Sequence, residues 1–187
     1  MTLASDRIDA GAVVLRKARD TDRDALIEIM TDPDVRAYLG GPRPRAEIER
    51  ILDERGTQAA TAAAGAFVVA DNSNDRFAGT MALERRHSEL PGHVIPDGDE
   101  LELSYVFRRD SWRKGWAYQA ASALLRAAAA ELPDQPVIAA TQSANTRSLN
   151  LLRRLGFEPV STFVQFDAEQ TLATAPLHRL ARDHGRG

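Results

Sequence analysis

Apolar positions along the chain follow two periods, one suited to strands and one to helices. Residues 12–18 (AVVLRKA) form a run rich in branched side chains that suits a pleated strand, and the polar RDTDRD after it carries helix-capping residues. A helix is expected from near Asp22, because Ala25, Leu26, Ile29 and Met30 recur at helical spacing until Pro33 interrupts them. A short segment with Val35, Tyr38 and Leu39 and the turn GGPRP lead to a second amphipathic helix, marked by Ile48, Ile51 and Leu52 and ending near Gly56. The piece TQAATAAAG has no clear period and reads as helix end or loop. AFVVAD and FAGTMALERR, separated by NSND, read as two antiparallel strands around a tight turn. A polar connection with Pro91, Gly92, Pro96 and Gly98 reaches the strand LELSYVF. From Gly115 onward, Ala117, Ala120, Ala121, Leu124, Leu125 and Ala128 trace one helical face, and Pro133 closes it. PVIAAT is a short buried strand, and NTRSLNLLRRLGF a helix capped by Asn145 with Leu149, Leu152 and Leu155 on its apolar face and Gly156 at its end. PVSTFVQF and TLATAPLHRL are the last strand-like runs. The order is β-α-α-β-β-β-α-β-α-β-β, a mixed α/β pattern.

Composition narrows the class. A chain of 187 residues fits one domain spanning 1–187, able to bury a core without disulfides. Twenty-four basic against 27 acidic residues give a formal net charge of −3, which suggests neither a nucleic-acid coat nor a membrane-surface protein. The absence of cysteine excludes disulfides, thiolate metal sites and a cysteine nucleophile, and fits a reducing compartment. With no leader pattern and no run of 18 apolar residues, a soluble cytoplasmic protein is expected. His87 and His93 lack a third ligand at telling spacing and read as surface or acceptor-side residues; His178 and His184 are uninformative, and no metal is expected.

Two stretches carry candidate chemistry. In WRKGWA, Gly115 lets the backbone turn tightly just before the positive end of a helix, the arrangement that turns successive N–H groups into an anion cradle; Arg113 and Lys114 add charge. The order of a P-loop is absent. Trp112 and Trp116 are read chiefly as packing residues. In ELELSYVF, Glu100, Glu102 and Ser104 alternate with apolar neighbours, so two carboxylates share one strand face, either lining a wet cleft or simply solvated.

These stretches support a family resemblance. The chain resembles the GCN5-related N-acetyltransferase (GNAT) family, in its RimJ/RimL-like branch, through four segments in order: LRKARDTDRDAL, RFAGTMAL, LELSYVFRRDSWRKGWAYQAA and NTRSLNLLRRLGF. Residues from 168 onward match poorly. The resemblance implies a mixed, mostly antiparallel twisted sheet of six to seven strands flanked by about four helices, with strands four and five, LELSYVF and PVIAAT, splayed apart around a pantetheine arm. It implies acetyl-CoA as co-substrate, bound by Val106, Phe107, Trp112, Arg113, Lys114, Gly115, Trp116, Ala117, Asn145 and Ser148. Arg113 stands where the branch commonly has glycine, so the cradle is undisturbed only if its φ is ordinary or the loop adapts. Glu102 aligns with the family's strand glutamate and is the first choice for general base, with Glu100 as the alternative. A bulge near Tyr105 or Val106 is implied, its N–H polarising the thioester carbonyl. Leu152 replaces the tyrosine that many members use as acid, which leaves Ser148, or a water it holds, as proton donor.

The function expected is transfer of acetyl to a primary amine, on a protein N-terminus or a small molecule; the alternative is a non-catalytic acyl-CoA sensor. An aminoglycoside acceptor would call for an acidic cleft, for which Glu84, Glu89, Asp97, Asp99 and Glu100 are conceivable walls. The resemblance also allows a homodimer, as in many relatives.

Overall fold

The run AFVVAD is apolar at consecutive positions because its strand is covered on both faces: Phe67 and Val69 pack into one cluster, Val68 and Ala70 into another, and all four are fully buried. The computed structural model describes residues 3, 5–96 and 98–182, so Asp97, His184 and the end of the tail lie outside the described residues. The strands are β1 (Arg7–Ala10), β2 (Val13–Arg16), β3 (Ala66–Asp71), β4 (Phe77–Arg85), β5 (Leu101–Phe107), β6 (Pro136–Gln142), β7 (Glu158–Gln165) and β8 (Ala168–Pro176). They form one sheet in the order β1-β2-β3-β4-β5-β6-β8-β7. Helices α1 (Arg23–Thr31) and α2 (Arg45–Arg55) cover one face, whereas α3 (Trp116–Glu131), α4 (Thr146–Leu155) and α5 (Leu177–Arg182) cover the other.

Every adjacent pair is antiparallel except β5 and β6, which run parallel and are registered only at Leu101↔Val137 and Glu102↔Ile138. On its other side β5 pairs with β4 without interruption from Gly79↔Phe107 to Arg85↔Leu101. β6 stays paired with β8 along its whole length. The sheet therefore parts into two halves beyond Glu102, and Leu103–Phe107 borders an open wedge.

The mixed sheet and the splay between LELSYVF and PVIAAT agree with expectation. The strand count rises to eight because β1 folds back on β2 around Gly11, at φ 79°, with Asp9 Oδ1 accepting from the Gly11 N–H at 2.8 Å. The poorly matched tail is structural: β8 lies between β6 and β7, and Leu177 and Leu180 of α5 are fully buried. TLATAPLHRL is thus strand to Pro176 and helix after it. TQAATAAAG begins with a 3-10 turn, Thr57–Thr61. At the entry to α1, Arg16 holds Asp22 at 2.7 and 3.0 Å, a buried bidentate pair tying β2 to the helix.

Candidate active site

A cleft of about 1450 Å³ runs through the wedge and around onto the α1/α2 face. Its α3 end is built by the loop after β5. Arg113 has φ 62° and Gly115 φ 75°, so two left-handed residues within three positions turn the chain into α3. The glycine-like bend is thus kept at Arg113, at a strain of roughly 1 kcal/mol for a side chain in that region. Gly115 caps α3 without a side chain, and a Cβ built there meets nothing within 4 Å. Among the described residues no acceptor takes the N–H groups of Gly115, Trp116 and Ala117. Exposed amides at a helix N-terminus in an open cleft suit a diphosphate. Lys114 Nζ stands 4.4 Å from the Trp116 ring centre and the Arg147 guanidinium 4.9 Å from that of Trp112. Trp112 does more than pack, since its indole N–H donates to the Phe107 carbonyl at 3.0 Å and pins the loop to β5.

The wedge edge of β5 follows from parity. In an antiparallel ladder alternate residues turn both backbone groups to the partner. Arg86 N–H donates to Glu100 O and Arg108 N–H to Ala78 O at the two ends of an unbroken β4–β5 register. The even-numbered residues of β5 accordingly face β4, and the amides of Leu103, Tyr105 and Phe107 face the wedge. The expected bulge is absent, and Val106 cannot present its amide there; its side chain packs toward α1 and α2 instead.

Tyr105 reaches across the wedge, its hydroxyl 2.6 Å from Ser148 Oγ on α4. Burial pushes the Tyr105 phenol up to about 12, against a smaller downward pull from Ser148, so it stays protonated at neutral pH. Ser148 is positioned by Asn145, whose Oδ1 accepts from the Ser148 N–H at 3.2 Å while its Nδ2 donates to Thr141 Oγ1 at 3.1 Å. The N-cap reading of Asn145 holds, and one of its amide hydrogens remains for a ligand. Leu152 is a core residue.

The two expected bases lie elsewhere. Glu102 accepts from Arg86 Nη1 at 2.6 Å and does not line the cleft. Glu100 is 1% exposed, 2.7 Å from His93 Nδ1, and accepts from the Val94 and Ile95 N–H groups at 2.6 and 2.8 Å. It anchors the 86–100 loop, and His93 is a structural partner of that loop instead of a surface group. Burial alone would raise the Glu100 carboxyl, but His93 and the Ile95 and Val94 amides outweigh it and hold it down at about 2 against an ordinary 4.5. A carboxyl lowered on folding stabilises above its unfolded value and loses that contribution as pH falls from about 4.5 through about 2. The difference corresponds to about 3 kcal/mol. Glu100→Gln is therefore expected to unfold in urea at a lower midpoint at neutral pH and to show a flatter stability profile below pH 4.5. A variant as acid-sensitive as the parent would contradict this assignment.

Of the other conceivable acids, Glu84 alone among the described residues lines the cleft. The sequence offers it as one of five acids conceivable for an acceptor cleft, within the expected strand FAGTMALERR that forms β4. Arg86 was missed as a site residue, and Tyr105 was expected to act through its backbone N–H and not its hydroxyl, since the side-chain partners of the two lie 16 and 43 residues away. Among the described residues no helix is long and apolar enough to cross a membrane.

Known proteins share this fold. Residues 12–158 match the family model of the acetyltransferase (GNAT) domain. The fold is similar to that of a GNAT-family acetyltransferase from Bacillus anthracis, at 21% identity and TM-score 0.72, covering 92% of this chain and 99% of that one. It is similar to spermidine N-acetyltransferase from Vibrio cholerae, solved with CoA and spermine, at 13% identity and TM-score 0.66 over 90% of this chain and 98% of that one. A ribosomal L7/L12 α-N-protein acetyltransferase, RimL, matches at 15% identity and TM-score 0.63 over 90% and 93% of the two chains. An open wedge in a mixed sheet, uncapped amides at the mouth of α3 and a domain match over most of the length converge: the chain belongs to the GNAT acetyltransferase family, N-acetyltransferases whose acyl donor is acetyl-CoA.

Proposed function

We propose that the protein moves the acetyl group of acetyl-CoA to a primary amine by direct attack within a ternary complex. The observation that carries this reading is the unpaired edge of β5, whose amides face the wedge beside the Tyr105–Ser148 hydroxyl pair. The amides of Gly115, Trp116 and Ala117, at the positive end of α3, bind the diphosphate, helped by Arg113 and Lys114. The free amide hydrogen of Asn145 serves the pantetheine arm. The Tyr105 and Phe107 N–H groups stabilise negative charge as it develops on the carbonyl oxygen.

Tyr105, relayed through Ser148 or acting directly, gives the departing thiolate its proton. A thiol with an ordinary pKa of about 8.5 needs only a weak donor, so a phenol kept protonated is adequate. Glu102 has no direct part, because its carboxylate is turned to Arg86. Both kinds of acceptor remain within the class, a protein N-terminus by likeness to RimL and a small amine by likeness to the spermidine enzyme.

Thiol release from acetyl-CoA over a panel of amines and N-terminal peptides, with the acetylated product identified by mass spectrometry, tests the reading. Amine-dependent release is expected. Binding of acetyl-CoA with no amine-dependent release over the whole panel would instead indicate a non-catalytic sensor.

A further inference from the structure

We propose that Glu84 is the carboxylate that meets the acceptor's ammonium, and that the acceptor is a primary amine on an apolar body with no second positive charge. This rests on the acetyl-transfer reading above. Glu84 and Glu102 stand opposite each other on β4 and β5, on the same face of the sheet. Like charges placed so are mutually unfavourable unless one is compensated. Arg86 compensates Glu102, under the 86–100 loop. Glu84 lies on the open side: it is exposed, lines the cleft, and forms no ion pair among the described residues. It acts on the Lys17 ammonium only through space, and three carbonyls, those of Ala63, Ala64 and Ala66, already hold that ammonium.

Backbone packing fixes where Glu84 stands. A Cβ on Gly65 would lie 2.0 Å from Leu83 O and 3.5 Å from Glu84 Cγ, so only glycine lets the chain pass against this part of β4.

The surrounding wall sets the acceptor's character. Ile29, Met30, Ile51, Tyr38 and Leu39 line the α1/α2 side of the cleft, with Tyr38 and Leu39 at 40% and 37% exposure, large apolar side chains left uncovered. The charged groups there are already matched except for two. Arg43 pairs with Glu47 and Arg109 with Asp34, while Arg55 has no anionic partner among the described residues. One uncompensated carboxylate accommodates one ammonium. A second cation on the acceptor would meet Arg55 with no further carboxylate to receive it.

In the reaction, Glu84 takes a proton from the R–NH3+ group, directly or through water, and passes it to solvent. The nitrogen lone pair then forms the C–N bond and the C–S bonding pair leaves with sulfur. The Tyr105–Ser148 pair protonates that thiolate and is itself restored by the second proton released from nitrogen. The sum is ammonium plus acetyl thioester giving amide, thiol and one proton.

The test compares phenethylamine with spermidine at saturating acetyl-CoA, in the parent, Glu84→Gln and Glu102→Gln proteins, with CoA affinity measured by calorimetry. Phenethylamine is expected to be used at least about tenfold better than spermidine. Glu84→Gln should lower kcat/KM for phenethylamine about 100-fold near pH 7 with CoA affinity unchanged, and the deficit should narrow toward about pH 10, where the amine is free without a base. Glu102→Gln should cost much less turnover. Full activity in Glu84→Gln, a preference for spermidine, or no phenethylamine turnover by a protein that acetylates another amine of the panel would overturn the inference alone; CoA binding with no amine acetylated would overturn the acetyl-transfer reading beneath it too. Failure to bind CoA would overturn the reading beneath it as well.

Discussion

A Tyr105→Phe enzyme is expected to bind CoA as tightly as the parent and to turn over about 100-fold more slowly. Deleting the hydroxyl leaves the ring packed against the core and the β5 backbone in place, so binding groups and oxyanion donors are unchanged. What is lost is the acid, and a positioned general acid contributes on the order of 10²–10⁴ in rate. Ser148→Ala should act on the same step. Because the two hydroxyls are 2.6 Å apart, the double variant is expected to lose little more than the worse single one. Additive losses would mean that the two groups work separately. The phenol's elevated pKa supplies a further check: a raised value protects the neutral form, so activity limited by this acid should persist to alkaline pH and fall only as pH approaches about 12.

Gly115→Ala is expected to fold, to lose about 1 kcal/mol of stability, and to bind CoA roughly 10- to 100-fold more weakly. The stability cost comes from placing a side chain at φ 75°. No protein atom lies within 4 Å of the new methyl group, so nothing in the fold itself is displaced. The methyl stands in the cleft where the α3 amides must be approached closely, and losing one charge-assisted hydrogen bond costs about 1.5–3 kcal/mol. Unchanged CoA affinity, measured by calorimetry, would contradict the assignment of this cradle.

Local patterns carried the fold where one segment determines its own structure. The periodic face of α3, the Asn145 cap of α4 and the doubly covered β3 are written in consecutive residues. The β7–β8 hairpin was less plain because its turn places Phe166 and Asp167 at φ 54° and 55°, a geometry usually signalled by Asn-Gly or Asp-Gly. β1 was hidden by its charges, since Arg7 and Asp9 interrupt any apolar run.

The site shows the same division. The tight turn into α3 was legible because WRKGWA builds it from neighbouring residues, whereas the positive φ of Arg113 was not, since only the folded loop shows that an arginine takes the bend usually left to glycine. The partners of the carboxylates were not legible either. Glu102 and Glu84 occupy equivalent strand faces, and only Arg86, buried beneath a loop that Glu100 and His93 hold down, distinguishes them. Tyr105 and Ser148 meet because two half-sheets diverge by just enough for a tyrosine to span the wedge, a consequence of tertiary geometry with no mark in spacing.

The central claim is that CoA is held by the amides of α3 and by the wedge edge of β5, and backbone amide NMR during titration with CoA tests it residue by residue. The amide signals of Gly115, Trp116 and Ala117, together with those of Tyr105 and Phe107, are expected to move to saturation with one affinity, while Val106, turned to β4, shifts far less. Saturable shifts elsewhere with the α3 and β5 amides unmoved would contradict the account.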